Sequence, residues 1–585
     1  MRNCAAVQSR PFNIAQILQD ALSLHQQGRL REAEKLYARV LKAAPDNFDA
    51  LHLLGLIHAQ NGQMGEAHRL MSAALKINPN VPDVLINFAN VLHGLKRDDE
   101  ALASIDKALA LRPGDPDALL HRGNTLNALN RPTDAVPCFD AVLARNRGHR
   151  DALVSRGIAR ATLGDYQQAL ADFDAVLVRT PNDTEALYNR GTALIELGRY
   201  AEALLALDHA LAGSPQHLRA WTNRGRALQA LNRHEEAVAS FDKALAIDKN
   251  YGDAHFNAAL SLLTLENLQR GFAEYEWRWK RTGMTDARRS YRGRLWLGEF
   301  PLDQRTILLP SEQGLGDTIQ FVRYAPLLAQ MGANVVLEVQ PELKALLSTV
   351  SGVASCHARG ETLPPFDVYC PLGSLPLALK TEFSLIPAAI PYLRADDARV
   401  AKWRPVLEAL PGKRVALVWA GQARHANDRN RSIDLKLLEP LFASKGVSFV
   451  SVQRDLRGGD AARLAEFGIT DFGPRLADMT DTAAVLALAD LLISVDTSVV
   501  HLAGALGREA WVVLPFAPDW RWTLTNERSP WYPQARLFRQ RAPGDWPNVI
   551  ATVRDALRTC TQPIELAIRP QRGWWQPARV PADGL

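Results

Sequence analysis

Small and bulky apolar positions recur with a 34-residue spacing in the first half of the chain. Seven alanines and one glycine occupy one position of this spacing: Ala33, Ala67, Ala101, Ala135, Ala169, Ala203, Ala237 and Gly271. A bulky side chain follows each of them one helical turn later, on the same face: Tyr37, Met71, Ile105, Phe139, Phe173, Leu207, Phe241 and Tyr275. Glycine stands twelve residues before five of the alanines: Gly55, Gly123, Gly157, Gly191 and Gly225. The pattern predicts pairs of closely approaching helices with the bulky residues in the seam.

Proline falls near the end of many of these units, at Pro45, Pro79, Pro113, Pro181 and Pro215. Helix, turn, helix and a proline stop at this period resemble the tetratricopeptide repeat, and the resemblance covers residues 12–280 with about eight repeats. Such repeats stack into an α-solenoid whose concave groove holds extended peptide. The resemblance therefore implies a protein partner.

A different periodicity begins at Arg305, where short apolar runs alternate with amphipathic segments. The runs are RTILLP, NVVLEV, FDVYCP, RVALVWAG, VSFVSVQ, LLISVD and AWVVLP. Apolar runs separated by helices are typical of parallel sheets covered on both faces. A break at residues 391–412 predicts two doubly wound α/β subdomains facing each other across a cleft, at 305–395 and 396–562, with a linker at 281–304 and a tail at 563–585. Ligands in such sheets bind beyond the carboxyl ends of the strands.

Charge and cysteine content exclude some partners. The net charge is +5 over 585 residues, and no lysine and arginine run is interleaved with aromatics, so we expect no nucleic-acid partner. The five cysteines lie far apart, which predicts neither a disulfide framework nor a zinc site. Since we find no signal-peptide core and no apolar run of about 18 residues, we expect a cytoplasmic protein without a membrane span.

The first candidate site follows the run RTILLP. Gly314 and Gly316 allow a tight turn and close backbone approach, and the helix that starts there presents free N–H groups. Asp317 has two interpretations. It caps the helix, as aspartate commonly does, or it is a general base that takes the proton of an attacking hydroxyl.

The second candidate site follows the run LLISVD. Thr497 and Ser498 are suited to cap the next helix, whose amides would hold a diphosphate without a metal. Asp496 precedes this turn, and His501 lies on the first turn of the helix, where histidine is often only packed or solvated. If both sites are formed as predicted, two helix starts converge on one crevice.

An arginine loop follows the run RVALVWAG. Arg424, Arg429 and Arg431 would stabilise the negative charge on a departing nucleotide diphosphate, or they are solvated surface. Gln453 ends the next run, where it would meet a base or ribose or would bind only backbone. Further on, the aromatic segments DWRW and SPWYP would stack on a ligand or pack an interface, and packing is favoured because tryptophan buries a large area.

The segments GLGDTIQFVRYAP (314–326) and SVDTSVVHLAGALG (494–507) resemble the two signatures of heptosyltransferase-like GT-B glycosyltransferases. The likeness covers about residues 305–558. The whole chain resembles bacterial proteins that join tetratricopeptide repeats to such a domain, and EYEWRW, SEQGLGD, DWRW and SPWYP are marks of that group. The resemblance implies a GT-B fold of two facing Rossmann-like subdomains, Asp317 as the base, and donor contacts from Asp496, Thr497, Ser498 and His501.

Two features depart from the heptosyltransferases. Their lysine-containing phosphate loop has no residue-for-residue match, and the arginine loop stands in its place, so the donor is not identified. Repeats joined to a GT-B domain are instead similar to the protein O-GlcNAc transferases, whose groove binds polypeptide through asparagines at one repeat position. That position here holds Asn87, Asn189, Asn223 and Asn257 in four repeats and Leu53, His121 and Ser155 in others, so the asparagine ladder is partial. These amides would clamp a peptide backbone or would only bridge neighbouring helices.

These features together predict an inverting, metal-independent glycosyltransferase. It would transfer a sugar from a nucleotide-sugar donor, a substrate rather than a cofactor, to Ser or Thr of a protein held by the repeats. Relatives in this group resemble flagellin-modifying enzymes, so flagellin is the acceptor to test first. The main alternative is a non-catalytic repeat scaffold with a retained GT-B module. Transfer to a lipid or polysaccharide is disfavoured because it leaves the repeats unexplained.

Overall fold

The computed structural model describes residues 13–283, 291–387, 389–424 and 427–561. The tail at 563–585 and residues 284–290 of the predicted linker lie outside them. Contacts divide the chain into two compact units. The first consists of Met1–Leu231 and Ala239–Lys249, and the second of Asn232–Val238 and Asn250–Leu585.

Helical pairs with the predicted period fill the first half of the chain. Their bounds are α1 Ile14–Gln26, α2 Leu30–Ala43, α3 Phe48–Gln60, α4 Met64–Ile77, α5 Pro82–Gly94, α6 Asp98–Leu111, α7 Pro116–Ala128, α8 Pro132–Arg145, α9 Arg150–Thr162, α10 Tyr166–Arg179, α11 Thr184–Glu196, α12 Tyr200–Gly213, α13 Leu218–Ala230, α14 His234–Ile247, α15 Gly252–Thr264 and α16 Leu268–Tyr275. Side-chain caps start several of them: the Asn47 carboxamide accepts from Ala50 N–H at 2.9 Å, and Asp183 accepts from Ala186 N–H at 3.0 Å.

The predicted seams are confirmed. A Cβ atom on Gly123 would lie 2.5 Å from Cε1 of Phe139, and one on Gly225 would lie 2.3 Å from Cε1 of Phe241. Glycine is thus required where a bulky ring of the next helix presses on the backbone. The N-terminal half is therefore an α-solenoid of closely packed helical pairs.

The last helical pair belongs with the α/β region. Phe272 and Tyr275 of α16 share one buried apolar cluster with Ile307 and Trp520. The contacts therefore separate the units before α15, whereas the repeat period predicts a boundary at residue 280. A short 3₁₀ helix, Glu276–Lys280, continues directly from α16.

Two parallel sheets form the α/β region. The first holds β1 Arg294–Leu295, β2 Thr306–Pro310, β3 Asn334–Val339, β4 Val353–Ala358 and β5 Val368–Tyr369, in the order β1-β5-β2-β3-β4. The second holds β6 Lys413–Val418, β7 Val447–Ser451, β8 Thr470–Asp471, β9 Leu491–Val495, β10 Ala510–Leu514 and β11 Ala535–Arg539, in the order β11-β10-β9-β6-β7-β8. All seven predicted runs are strands.

Four strands were not predicted from the sequence. β1 and β8 have two residues each, too few for an apolar run, and β1 lies within the segment predicted as a linker. β4 and β11 are sheet edges whose residues are partly exposed and mixed in polarity. Edge strands are covered on fewer sides than central strands, so their sequences lack the continuous apolar signal.

Helices cover the sheets between the strands: α17 Leu315–Phe321, α18 Ala325–Gln330, α19 Lys344–Leu347, α20 Leu375–Ala378, α21 Asp397–Glu408, α22 Asp428–Arg431, α23 Glu439–Phe442, α24 Asp460–Glu466, α25 Met479–Leu488, α26 Ser498–Ala505 and α27 Trp546–Thr561. In the second sheet the chain runs outward from β6 to β8 and then returns to place β9 on the other side of β6. The carboxyl ends of β6 and β9 therefore flank a topological switch point, where such sheets bind ligands.

Candidate functional site

Asp317 lies at the start of α17, directly after β2. Gly314 is the N-cap residue of this helix, and its N–H donates to Oδ2 of Asp317 at 3.0 Å. The capping interpretation of Asp317 is thus confirmed in geometry. The side chain keeps 25% of its surface exposed. It remains open to a second role.

Arg521 contacts the same carboxylate from the second half of the α/β region. Its Nη2 donates to Oδ1 of Asp317 at 2.5 Å, and its Nη1 donates to Asp519 at 2.9 Å. Its Nε donates to the side chain of Gln320 on α17. The guanidinium is buried and stacks over Trp520 at 4.3 Å. Sequence reasoning missed this residue because only tertiary structure brings DWRW to Asp317.

The loop before α17 is held by the segment that follows the last repeat. The Tyr275 hydroxyl donates to Oε1 of Gln313 at 2.9 Å, and Arg278 donates to Glu312 at 3.1 Å. Burial raises the pKa of Glu312, and the Arg278 guanidinium opposes this. The motif EYEWRW therefore supports the loop SEQGLGD through a buried polar network.

Helix α26 begins at the second candidate site. Thr497 starts the helix, but its side chain makes no capping bond, so the predicted cap is wrong. Thr497 and Ser498 are half-exposed. Burial of the Asp496 carboxyl raises its pKa to about 6, and the neighbouring Asp519 carboxylate raises it too. Helix starts of this kind leave their first N–H groups available to anions.

His501 is a packed residue. It is 5% exposed, its Nδ1 lies 3.0 Å from the Tyr532 hydroxyl, and its ring centre lies 5.6 Å from that of Trp522. Burial lowers its pKa well below the ordinary value of 6.5. The sequence interpretation of His501 as a packed helix residue is therefore confirmed. Contact between His501 and a sugar donor stays a prediction.

The starts of α17 and α26 contact each other. A Cβ atom on Gly316 would lie 2.7 Å from Cδ2 of His501 and 3.5 Å from Cα of Ser498. Convergence of the two helix starts is thus confirmed, and glycine at 316 is what permits it. The predicted crevice is closed at this point, because backbone and ring are in van der Waals contact.

The arginine loop joins the ends of β6 and β9 through one of its members. Nη1 of Arg431 donates to the backbone oxygen of Asp496 at 3.1 Å. Arg424 and Arg429 are exposed. Gln453 is buried and binds only backbone: its Oε1 accepts from Ala420 N–H at 3.1 Å and its Nε2 donates to Ala420 O at 3.0 Å. Its amide is fully used in holding the β6 loop, so the backbone interpretation is confirmed.

The aromatic segments pack as favoured. Trp520, Trp522, Trp531 and Tyr532 are all buried, and the rings of Trp520 and Trp531 meet edge to face at 5.6 Å. Because these rings are buried and in contact with one another, they stabilise the DWRW segment that carries Arg521.

The four asparagines of the repeat position are found in three different situations. Nδ2 of Asn223 donates to Oγ1 of Thr192 in the preceding repeat at 3.0 Å, and Asn87 lies 3.2 Å from His52 in the same way. Asn257 donates to the Asp253 carbonyl of its own helix at 2.7 Å. Within residues 13–283 the half-exposed Asn189 amide has no partner. Bridging is therefore observed at Asn87 and Asn223, and peptide binding stays a prediction.

Other sites in the described part of the chain add little. No group of three acidic, histidine or cysteine side chains there is placed to hold a metal ion. A cavity of about 500 Å³ is lined by residues that include Trp511, Arg528 and Arg536, not by Asp317 or Thr497. Among described helices none has the length and apolar content needed to cross a bilayer.

Family models match the repeat region. The tetratricopeptide repeat model matches residues 87–148, 120–184, 154–217, 188–252 and 222–287. A model described as anaphase-promoting complex, cyclosome, subunit 3 matches residues 26–108. The N-terminal repeats are therefore tetratricopeptide repeats.

A curated relative and several solved structures are similar to the chain. Protein FlbA of Caulobacter vibrioides is 30% identical over 328 residues, which are 52% of this chain and 54% of that protein. The chain thus spans about half the length of this relative. A tetratricopeptide repeat protein from Parabacteroides merdae is 22% identical, with 43% of this chain and 98% of that chain covered and a TM-score of 0.37. MamA from Desulfovibrio magneticus is 23% identical, with 29% and 95% covered and a TM-score of 0.27.

Proposed function

We propose that this protein is a glycosyltransferase that modifies Ser or Thr hydroxyls of a protein held by its repeats. The acceptor oxygen attacks the anomeric carbon of a nucleotide sugar and loses its proton to the Asp317 carboxylate. The bond from that carbon to the diphosphate oxygen breaks, and the nucleoside diphosphate leaves with the electron pair. A single displacement of this kind inverts the anomeric centre.

One observation carries the proposal. The Asp317 carboxylate at the end of β2 lies where the α17 start contacts the α26 start, next to the switch point of the second sheet. The partly exposed edge there carries Asp317, Asp496, Thr497 and Ser498. Because Gly316 and His501 close the crevice, the donor binds beside their contact, along this edge.

Charge stabilisation without a metal fits the same edge. The α26 start supplies N–H groups to a diphosphate, and Arg431, anchored to the Asp496 backbone, supplies positive charge. The repeats fit a protein acceptor, and the sequence resemblance makes flagellin the first acceptor to test, in the cytoplasm.

A panel of nucleoside-diphosphate sugars tests the proposal: UDP-glucose, UDP-N-acetylglucosamine, GDP-mannose and ADP-heptose. We expect at least one to raise the melting temperature of the protein and to be consumed by it. Asp317→Asn keeps the melting shift and loses turnover by about 100-fold or more. A protein that neither binds nor consumes any member contradicts the proposal.

The second candidate function is a scaffold whose α/β unit only binds partners. The observation that favours it is the closed contact between Gly316 and His501, together with the ion pair that occupies Asp317. A scaffold retains a partner captured by the repeats and adds no sugar mass to it. Wild type and Asp317→Asn would then behave identically in assays of donor consumption and sugar transfer.

A further inference from the structure

The ion pair between Arg521 and Asp317 joins the two halves of the α/β region at the proposed base. Arg521 comes from the 3₁₀ helix Trp520–Trp522, after β10, and Asp317 comes from α17, after β2. The side chain of Arg521 is 8% exposed and that of Asp317 is 25% exposed. The Arg521 guanidinium is therefore buried, whereas its partner Asp317 is partly exposed. This arrangement suits Arg521 to hold the Asp317 carboxylate in a fixed position.

We infer that Arg521 is the positioning residue of the proposed glycosyl transfer, fixing the Asp317 carboxylate toward the acceptor. This inference rests on the proposed function. Its support is the geometry of the carboxylate: one oxygen accepts from Arg521 at 2.5 Å and the other accepts from Gly314 N–H at 3.0 Å.

Two fixed bonds leave the carboxylate able to react. An ionised carboxylate offers about four acceptor positions, and the two bonds occupy one on each oxygen. No other hydrogen bond from the described residues reaches the carboxylate, and 25% of the Asp317 side chain is exposed. The base therefore has a set orientation and still has a lone pair for the hydroxyl proton.

Arg521 is itself immobilised. Its three nitrogens donate to three different acceptors, on Asp317, Asp519 and Gln320, and its plane stacks on Trp520. A planar fork serves these acceptors at once, whereas a lysine ammonium would serve them as a point charge. The guanidinium thus transmits the rigid packing of the DWRW segment to the base.

The test compares Arg521→Met and Arg521→Lys with the wild type and with Arg414→Met as a matched control. Arg414 pairs with Asp490 at the opposite, amino-terminal ends of β6 and β9. Turnover is measured by hydrolysis of the nucleotide sugars named above, with water as the acceptor. We expect Arg521→Met to lower kcat by about 100-fold, with the donor KM changed by less than about threefold.

Two readouts separate positioning from plain stability. Arg521→Lys retains more turnover than Arg521→Met. In a third variant, Arg521→Ala, added guanidinium ion restores part of the turnover, whereas it restores none in Asp317→Asn. In addition, the urea midpoint shifts of Arg521→Met and Asp317→Asn are non-additive, because the residues are in contact. The Arg414→Met control lowers the midpoint and leaves kcat unchanged.

The outcomes distinguish this inference from the proposed function. If the wild type consumes no nucleotide sugar, the proposed function fails and the inference fails with it. If the wild type is active and Arg521→Met keeps its kcat, or raises it, the inference alone is overturned. Additive midpoint shifts overturn it as well, since they deny the contact.

Discussion

Replacing Gly316 by alanine tests the contact between the two helix starts. The new Cβ would lie 2.7 Å from Cδ2 and 3.3 Å from Nε2 of His501, where ordinary carbon contacts need about 3.5 Å. The ring is buried and hydrogen-bonded to Tyr532, so it does not move aside freely. Overpacking of this kind lowers the free energy of unfolding by about 1–3 kcal/mol. The higher helix propensity of alanine relative to glycine raises it by at most about 1 kcal/mol.

We therefore expect Gly316→Ala to lower the free energy of unfolding by about 1–2 kcal/mol. Urea unfolding followed by tryptophan fluorescence is the assay. Of the 13 tryptophans, Trp221 alone lies in the first unit, so the signal reports the second. Gly458→Ala is the control, since a Cβ there meets nothing within 4 Å.

A second variant makes the reasoning refutable. In a His501→Ala background the imidazole ring is absent, so Gly316→Ala should lower the free energy of unfolding only slightly. A Gly316→Ala protein as stable as the wild type would refute the contact. An equal loss of unfolding free energy from Gly316→Ala in the wild type and in His501→Ala would also refute it.

Three further predictions concern titration and the repeats. Burial lowers the pKa of His234 to about 4, so the stability that its neutral ring contributes above pH 6.5 is lost as pH falls toward 4. The free energy of unfolding of His234→Gln, measured by urea titration, therefore falls less over this window than that of the wild type, by about 3 kcal/mol. The Asp496 carboxyl has its pKa raised to about 6, so the contribution of this group to stability declines as pH rises from 4 to 6, and Asp496→Asn has a higher urea midpoint relative to the wild type above pH 6 than below pH 4. Asn223→Ala loses the bond to Thr192 and costs about 1 kcal/mol. Asn189→Ala leaves the thermal midpoint unchanged and weakens acceptor binding, measured by calorimetry; the reverse pattern would contradict the repeat interpretation.

Local patterns predicted the repeats and the central strands. The spacing of Gly123 and Phe139 recurs in other units of the repeat, so the sequence indicates that the two residues meet in the seam between paired helices. The runs that became β6 and β9 are buried on both faces, which leaves a continuous apolar signal.

Contacts between distant segments were beyond the sequence. Nothing near Asp317 indicates that Arg521, 204 positions later, reaches it. Burial of His501 and the use of the Gln453 amide by backbone likewise depend on what the fold places beside them. The division before α15 depends on side chains of α16 that enter the α/β core. Sequence motifs therefore indicate which residues lie near the candidate site, but they do not show which distant side chains hydrogen-bond to those residues.

The most direct test of the central claim is the intact mass of flagellin incubated with this protein and the nucleotide sugar that it binds. The account predicts that the wild type adds the mass of one or more glycosyl residues to Ser or Thr, and that Asp317→Asn adds none while it still binds the donor. No added mass with the wild type, or equal added mass with Asp317→Asn, would contradict it.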